Sequence, residues 1–187
     1  TECEDMRVIT GLAKGKRLTA PEGKDTTRPT AEKVKEGVFS AIQFLLEEAE
    51  VLDLFAGSGQ LGIEAISRGA KKAVFVDNDK EAVACIKENL ANCGFSGKSY
   101  VHQTDVQSYL AGAQKTFDMV FLDPPYADEA VPKLLPKVEP LVKPGGIVFC
   151  EISKRNDLPE SVEGLHFYKE YRYGRTKVVQ YRKETGI

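Results

Sequence analysis

The sequence predicts an α/β protein: a mostly parallel, seven-stranded sheet with helices on both faces, preceded by a small N-terminal β-hairpin. Three observations point there. From Val51 onward, short apolar runs alternate with stretches of helical periodicity. Runs such as VLDLF, KAVFVD and FDMVFLD are continuously apolar rather than alternating, the pattern of strands covered on both faces. Aspartates then recur at or near the ends of these runs, at Asp53, Asp77, Asp105 and Asp123, where open α/β sheets hold their ligands.

Taken in order, RVITG and KRLTA are strand-like runs separated by LAKG, which predicts a hairpin. PEGKDTTRP is a loop. Val34, Val38, Ile42 and Leu45 recur with helical spacing between Thr30 and Glu47, interrupted weakly by Gly37. VLDLF is a strand and Ser58 to Arg68 a helix, followed by the strand KAVFVD. Asp79 can cap a helix that runs to Asn92, with Val83, Ile86 and Leu90 on one face and Gly94 past its end. SYVHQ is a strand, Val106 to Ala111 a short helix and FDMVFLD a strand. Ala127 to Val142 is helical but punctuated by Pro132, Pro136 and Pro140. GGIVFCEI is a strand, and LHFYKEYRYG with RTKVVQYRK forms a closing antiparallel pair that turns at Gly174.

A chain of 187 residues with 42% hydrophobic content is expected to bury one core without staples. The net charge of -2 excludes a polycation, so a nucleic-acid partner needs a local basic patch. Cys3, Cys85, Cys93 and Cys150 form no CxxC pair and have no histidine at zinc spacing. Reduced thiols, no metal and a cytoplasmic location are expected. No apolar run approaches the roughly 18 residues that span a membrane, and no signal peptide is visible. Met6 is a candidate native start behind the short TECED tail.

DLFAGSGQLG places Gly57, Gly59 and Gly62 in a GxGxxG between a strand and a helix, a Rossmann-like signature. Twenty residues beyond Gly57, Asp77 ends the next strand and can accept both hydroxyls of a ribose. A dinucleotide is one reading, and a tight turn without ligand another. Asp53, with Phe55 and Ala56 before the glycines, favours neither. A carboxylate there repels a pyrophosphate but suits S-adenosylmethionine, which carries an ammonium and a sulfonium and no phosphate. Asp105 and the Val106 N–H lie where an adenine edge would sit, and Asp105 can also cap the following helix.

FLDPPYA ends a strand in an acid, two prolines and an aromatic ring. Proline cannot continue a central strand, so pairing stops at Asp123. An exocyclic amino group of a purine is a poor nucleophile, because its lone pair is delocalised into the ring. The Asp123 carboxylate and the Pro124 carbonyl can accept its two N–H bonds and favour pyramidalisation toward a methyl donor. Tyr126 offers a face on which an extruded base can stack. His102 and His166 are expected to be ordinary strand residues.

These motifs resemble the class I amino-methyltransferases that carry (D/N)PP(Y/F). RVITGLAKGKRL, TRPTAEKVKEGVFSAI, LDLFAGSGQLGIEAISRGA, FVDND and DPPY, in that order, resemble the RsmD family from Met6 to about Lys183. The resemblance implies a class I methyltransferase that uses S-adenosylmethionine to methylate N2 of one guanine, guanine 966, in 16S ribosomal RNA of an assembling small subunit. It places Asp53, Gly57 and Gly59 at the methionine end of the cofactor, Asp77 and Asn78 at the ribose and adenine, and Asp105 with Val106 at the adenine. Asp123 and Tyr126 would hold the guanine, with Arg28, Pro29 and Thr30 on the approach.

Charge placement supports RNA independently. Arg7, Lys14, Lys16, Arg17, Lys24, Arg28, Lys33 and Lys35 crowd the first thirty-five residues of a net-acidic chain. Lys14, Lys16 and Arg17 are the expected phosphate contacts of the hairpin. The expected organisation is a tail and basic hairpin over residues 1–29 and a methyltransferase domain over 30–187, acting as a monomer. An adenine-N6 methyltransferase fits DPPY equally well but would need a further recognition domain. A non-catalytic RNA binder would not need Asp53, Asp77 and Asp123, and a dehydrogenase would need an acid–base partner that the sequence does not offer.

Overall fold

Five strands pair in parallel: β1 (Glu50–Leu54), β2 (Lys72–Asp77), β3 (Ser99–Gln103), β4 (Phe117–Leu122) and β5 (Val142–Ser153); β1, β2, β4 and β5 bury apolar side chains on both faces, and β3 is a largely exposed edge. β6 (Ser161–Val162), β7 (Leu165–Tyr173) and β8 (Thr176–Lys183) complete the sheet antiparallel, in the order β3-β2-β1-β4-β5-β8-β7-β6. The computed structural model describes residues 6–21 and 29–186, and Arg28 and Cys3 lie outside them. The Rossmann-like architecture holds, with eight strands instead of the expected seven. The addition is the two-residue β6, too short to stand out in sequence.

Helices α1 (Pro29–Ala41), α2 (Gln60–Ser67), α3 (Lys80–Cys93), α4 (Val106–Gly112) and α5 (Ala127–Val138) divide the core into two layers. Phe39, Ile63, Phe75, Phe121 and Phe149 belong to one layer. Leu52, Leu54, Val76, Leu122 and Leu135 belong to the other. This is the period-2 alternation of each strand, sorted to opposite faces. Asp79 caps α3 by accepting the Glu81 N–H at 3.0 Å, and Gly94 closes it at φ 77°. Pro132 and Pro136 are tolerated inside α5 because both sit on its solvent face, one turn apart, where the carbonyls they leave unpaired meet water. α1 is shorter than its periodicity suggests and passes into a 3-10 turn at Gln43–Leu45.

The N-terminal segment doubles back as expected but is not a regular ladder. Only Arg7 and Arg17 form a bridge, with Val8 N–H to the Lys16 carbonyl (3.0 Å) and Leu18 N–H to the Met6 carbonyl (2.8 Å) beside it. Side chains of the helices take up several further backbone groups. Glu64, 0% exposed, accepts the N–H groups of Ile9 (2.8 Å) and Thr10 (3.1 Å). Ser67 Oγ accepts from Ala13 N–H and donates to the Thr10 carbonyl. Asn89 accepts the Thr19 N–H at 2.8 Å and donates to the carbonyls of Thr19 and Ser58. Lys35, one of the basic residues counted in the N-terminal stretch, is 3% exposed. Its Nζ donates to the Arg7 carbonyl at 2.8 Å and lies 3.4 Å from Glu64. Lys14, Lys16 and Arg17 remain exposed on the outer side of the turn.

Candidate active site

The topological switch falls between the neighbouring strands β1 and β4, and the site residues leave the carboxyl ends of β1, β2 and β4. β1 ends in a loop whose backbone is unusually strained. Phe55 adopts φ 58°, and Gly57 and Gly59 follow at 62° and 81°. Glycine accepts this left-handed geometry freely, whereas an aromatic residue is held there only by its surroundings. Gly62 serves packing instead, since a Cβ at that position would lie 2.4 Å from the Phe75 ring.

The N–H groups of this loop are used within the protein. Gly57 N–H donates to Asp77 Oδ2 (2.9 Å) and Gly62 N–H to Asp53 Oδ2 (3.1 Å), while Gly59 N–H donates to the Ala56 carbonyl (2.8 Å). A pyrophosphate would need such donors directed outward. Here Asp77, Asp53 and the Ala56 carbonyl take them up, so these N–H groups are not offered to a phosphate. Asp53 is buried at 2% exposure, beneath the loop it organises. Burial raises its pKa well above the carboxylate range, Asp123 and Asp77 push the same way, and the Gly62 N–H opposes them. Asp77 also accepts the Asp79 N–H on its second oxygen (2.9 Å), so its carboxylate is fixed in orientation.

Beyond these strand ends lies a hollow of about 350 Å³, walled in part by Phe55, Asn78, Asp105, Val106, Pro124 and Tyr126. It thus brings together six of the residues singled out in the sequence. Asp105 caps α4, accepting the Ser108 N–H (2.9 Å) and the Ser108 hydroxyl (2.7 Å). Those bonds hold its pKa below the ordinary value, so it stays anionic, with lone pairs left for an amino group.

At the end of β4 the chain turns sharply through Pro124 and Pro125 into Tyr126, which adopts φ 55° and opens α5. Tyr126 is 86% exposed, an unusual position for a ring with a strained backbone. Asp123 precedes it. A hollow of about 420 Å³ carries Asp123, Tyr126, Glu151 and Arg175 on its wall, and a narrower one of about 100 Å³ carries Asp123, Glu151, Lys35 and Phe39. The 420 Å³ hollow shares Tyr126 with the first hollow and Asp123 and Glu151 with the narrow one, so the three run on from one another as a trench from the glycine loop to α1. Asp123 has open surface toward the trench but is recessed in its wall. Loss of water around it, then the Glu151 carboxylate, raises its pKa to about 7.

Glu64, Asn89 and Glu151 were not singled out from the sequence. Glu64 had a visible signal, an acid inside the apolar helix run LGIEAI with Arg68 four residues on. Asn89 and Glu151 carried none, because their roles depend on partners remote in sequence. Lys14, Lys16 and Arg17 lie on the N-terminal turn, and Thr30 lies in the first turn of α1.

Fold and site together define a class I methyltransferase. The family described as "Conserved hypothetical protein 95" matches residues 6–182, and the chain belongs to it, the RsmD family. YlbH of Bacillus subtilis, whose name marks it as a proposed rRNA methyltransferase, is 39% identical over 183 residues, covering 95% of this chain and 99% of that one. Ribosomal RNA small subunit methyltransferase D of Haemophilus influenzae is 35% identical over 162 residues, covering 82% of each. Among solved structures, yhhF of Escherichia coli, described as a proposed methyltransferase, superimposes with a TM-score of 0.88 at 27% identity, covering 97% of this chain and 99% of that one. S-adenosylmethionine is the cofactor of this class. The residues present fit it: loop donors turned inward to carboxylates, and a hollow with an anionic Asp105 at its rim.

Proposed function

We propose that the protein transfers a methyl group from S-adenosylmethionine to the exocyclic N2 of a guanine in 16S rRNA of the small ribosomal subunit, the position implied by the resemblance being guanine 966. The observation that carries this reading is the end of β4. Asp123, the Pro124 carbonyl and an 86%-exposed Tyr126 on a strained backbone stand between the cofactor-sized hollow and an open trench.

When bound, S-adenosylmethionine supplies an electrophilic methyl group on a sulfonium. Asp77 and Asn78 orient its ribose, Asp105 and Val106 read its adenine edge, and Phe55, Gly57 and Gly59 shape the wall around its methionine end. Asp53 acts from beneath, accepting the Gly62 N–H and so fixing the loop against the start of α2. Asp123 and the Pro124 carbonyl accept the two amino hydrogens of the target, which fixes the nitrogen and turns its lone pair toward the methyl group. Tyr126 stacks the extruded base. The proton leaves N2 once the methyl group is attached, when the nitrogen has become acidic, and water reached through the open trench can take it.

Lys14, Lys16, Arg17 and Arg28 are proposed to hold phosphates, with Thr30 on the approach. This divides the work between a basic segment over residues 1–29 and the methyltransferase domain over 30–187. The relatives named for rRNA methylation support the substrate class.

The test is incubation with labelled S-adenosylmethionine and small subunits from a strain lacking the enzyme, followed by digestion to nucleosides. N2-methylguanosine is expected. N6-methyladenosine would assign the target to adenine instead, and no transfer would sink the proposal for this substrate.

A further inference from the structure

Glu151 sits one strand away from Asp123 on the same face of the sheet. β4 and β5 run parallel with Phe121 opposite Phe149 and Leu122 opposite Cys150. The rings of Phe121 and Phe149 stack side by side, with centroids 5.7 Å apart, and Phe39 of α1 packs on Phe121 at 5.5 Å. Side chains two residues on return to that face. The next rung of the ladder is therefore a pair of carboxylates, Asp123 and Glu151, facing α1. Both line the narrow hollow beneath α1 and the wider one that opens past Tyr126 and Arg175. Burial, and after it the neighbouring Glu151, raises the cost of ionising Asp123. Lys35 lines the same hollow, with its ammonium bonded to the Arg7 carbonyl and paired with Glu64.

Two acceptors placed side by side at a target site call for a ligand edge with two adjacent donors. Guanine has that edge, N1–H next to N2–H. Adenine does not, because beside its N6 amino group lies N1, a lone-pair acceptor. We infer that Glu151 is a substrate-recognition residue that accepts the guanine N1–H while Asp123 holds N2–H, so that the pair selects guanine over adenine. The inference rests on the guanine reading proposed above and supplies what DPPY alone lacks, since an acid and a proline carbonyl serve either amino group. Adenine would place its N1 lone pair against the Glu151 carboxylate, a repulsive contact that rejects the wrong base.

The test measures nucleoside binding to the protein saturated with S-adenosylhomocysteine, by NMR titration with guanosine, 1-methylguanosine and adenosine. 1-Methylguanosine keeps N2 but has lost the N1–H. The wild type is expected to bind guanosine about 10- to 100-fold more tightly than 1-methylguanosine, the range of a hydrogen bond to a charged acceptor. Glu151→Ala should erase that gap, and Glu151→Gln, which keeps an acceptor, should restore part of it. A purely structural role for Glu151 would weaken both nucleosides equally and leave the gap intact. Guanosine binding without a gap in the wild type overturns the role of Glu151 and leaves the guanine reading standing. Adenosine binding in preference to guanosine overturns both, and so does failure of every nucleoside to bind while the cofactor product does.

Discussion

Asp123 carries its function at a cost in stability. It binds a proton more tightly in the folded chain than in the unfolded one, so its ionisation opposes folding. Its stabilising contribution is full below the ordinary carboxylate value of 3.8 and is lost as pH rises through about 7. Asp123→Asn cannot ionise. It should melt higher than the wild type at about pH 8 and close to it below about pH 4, in thermal scans read by circular dichroism. The same variant should lose about 10²–10³-fold in transfer rate, the scale of a lost electrostatic contact in a transition state, while isothermal titration finds cofactor affinity nearly unchanged. Tyr126 belongs to the same scale. Tyr126→Ala should cost about 1–3 kcal/mol in RNA binding, as stacking on one base is worth, and Tyr126→Phe should cost little. Asp77 and Asp123 were legible in the sequence because they stand where apolar runs stop, and Asp53 because it is an acid inside one. Glu151 was not legible, since it lies inside an apolar run and only the pairing of β4 with β5 sets it beside Asp123.

At the scale of elements, the strands and most helix ends followed from period and caps. Asp79 and Gly94 bound α3 as their chemistry requires. The N-terminal segment departed from its expected ladder because its backbone groups find side chains on α2 and α3. Glu64 is its anchor, a fully buried carboxylate with Arg68 Nε at 2.9 Å, Lys35 at 3.4 Å and two backbone N–H groups around it. Removing one member of such a set leaves the others buried without compensation. Glu64→Ala should lower stability by about 3–5 kcal/mol in urea unfolding, with faster hydrogen exchange at Ile9 and Thr10. α2 also depends on the missing side chain of Gly62. Gly62→Ala drives a methyl group into the Phe75 ring and should cost about 1–3 kcal/mol.

Across the whole molecule, net charge and local charge have opposite signs. The chain is acidic overall, yet Lys14, Lys16 and Arg17 stand exposed together on the N-terminal turn. If they meet phosphates, replacing Lys14 and Lys16 by alanine should weaken RNA binding and flatten its dependence on salt. The slope of log K against log salt should fall by about 0.7–0.9 for each lysine removed, measured by fluorescence anisotropy at several salt concentrations. Lys35, equally basic in the sequence, contributes nothing to that slope because its charge is spent inside. Among the described residues, no helix is long and apolar enough to cross a membrane.

The bonds that fix the N-terminal segment also set a schedule for its assembly. Ile9, Ala13 and Thr19 reach partners 55, 54 and 70 residues further along the chain. On a ribosome these residues are made before their partners, so these long-range bonds wait until α2 and then α3 have emerged and folded onto β1 and β2. The segment proposed to grip RNA is therefore synthesised ahead of the helices that anchor it and takes its place only after them.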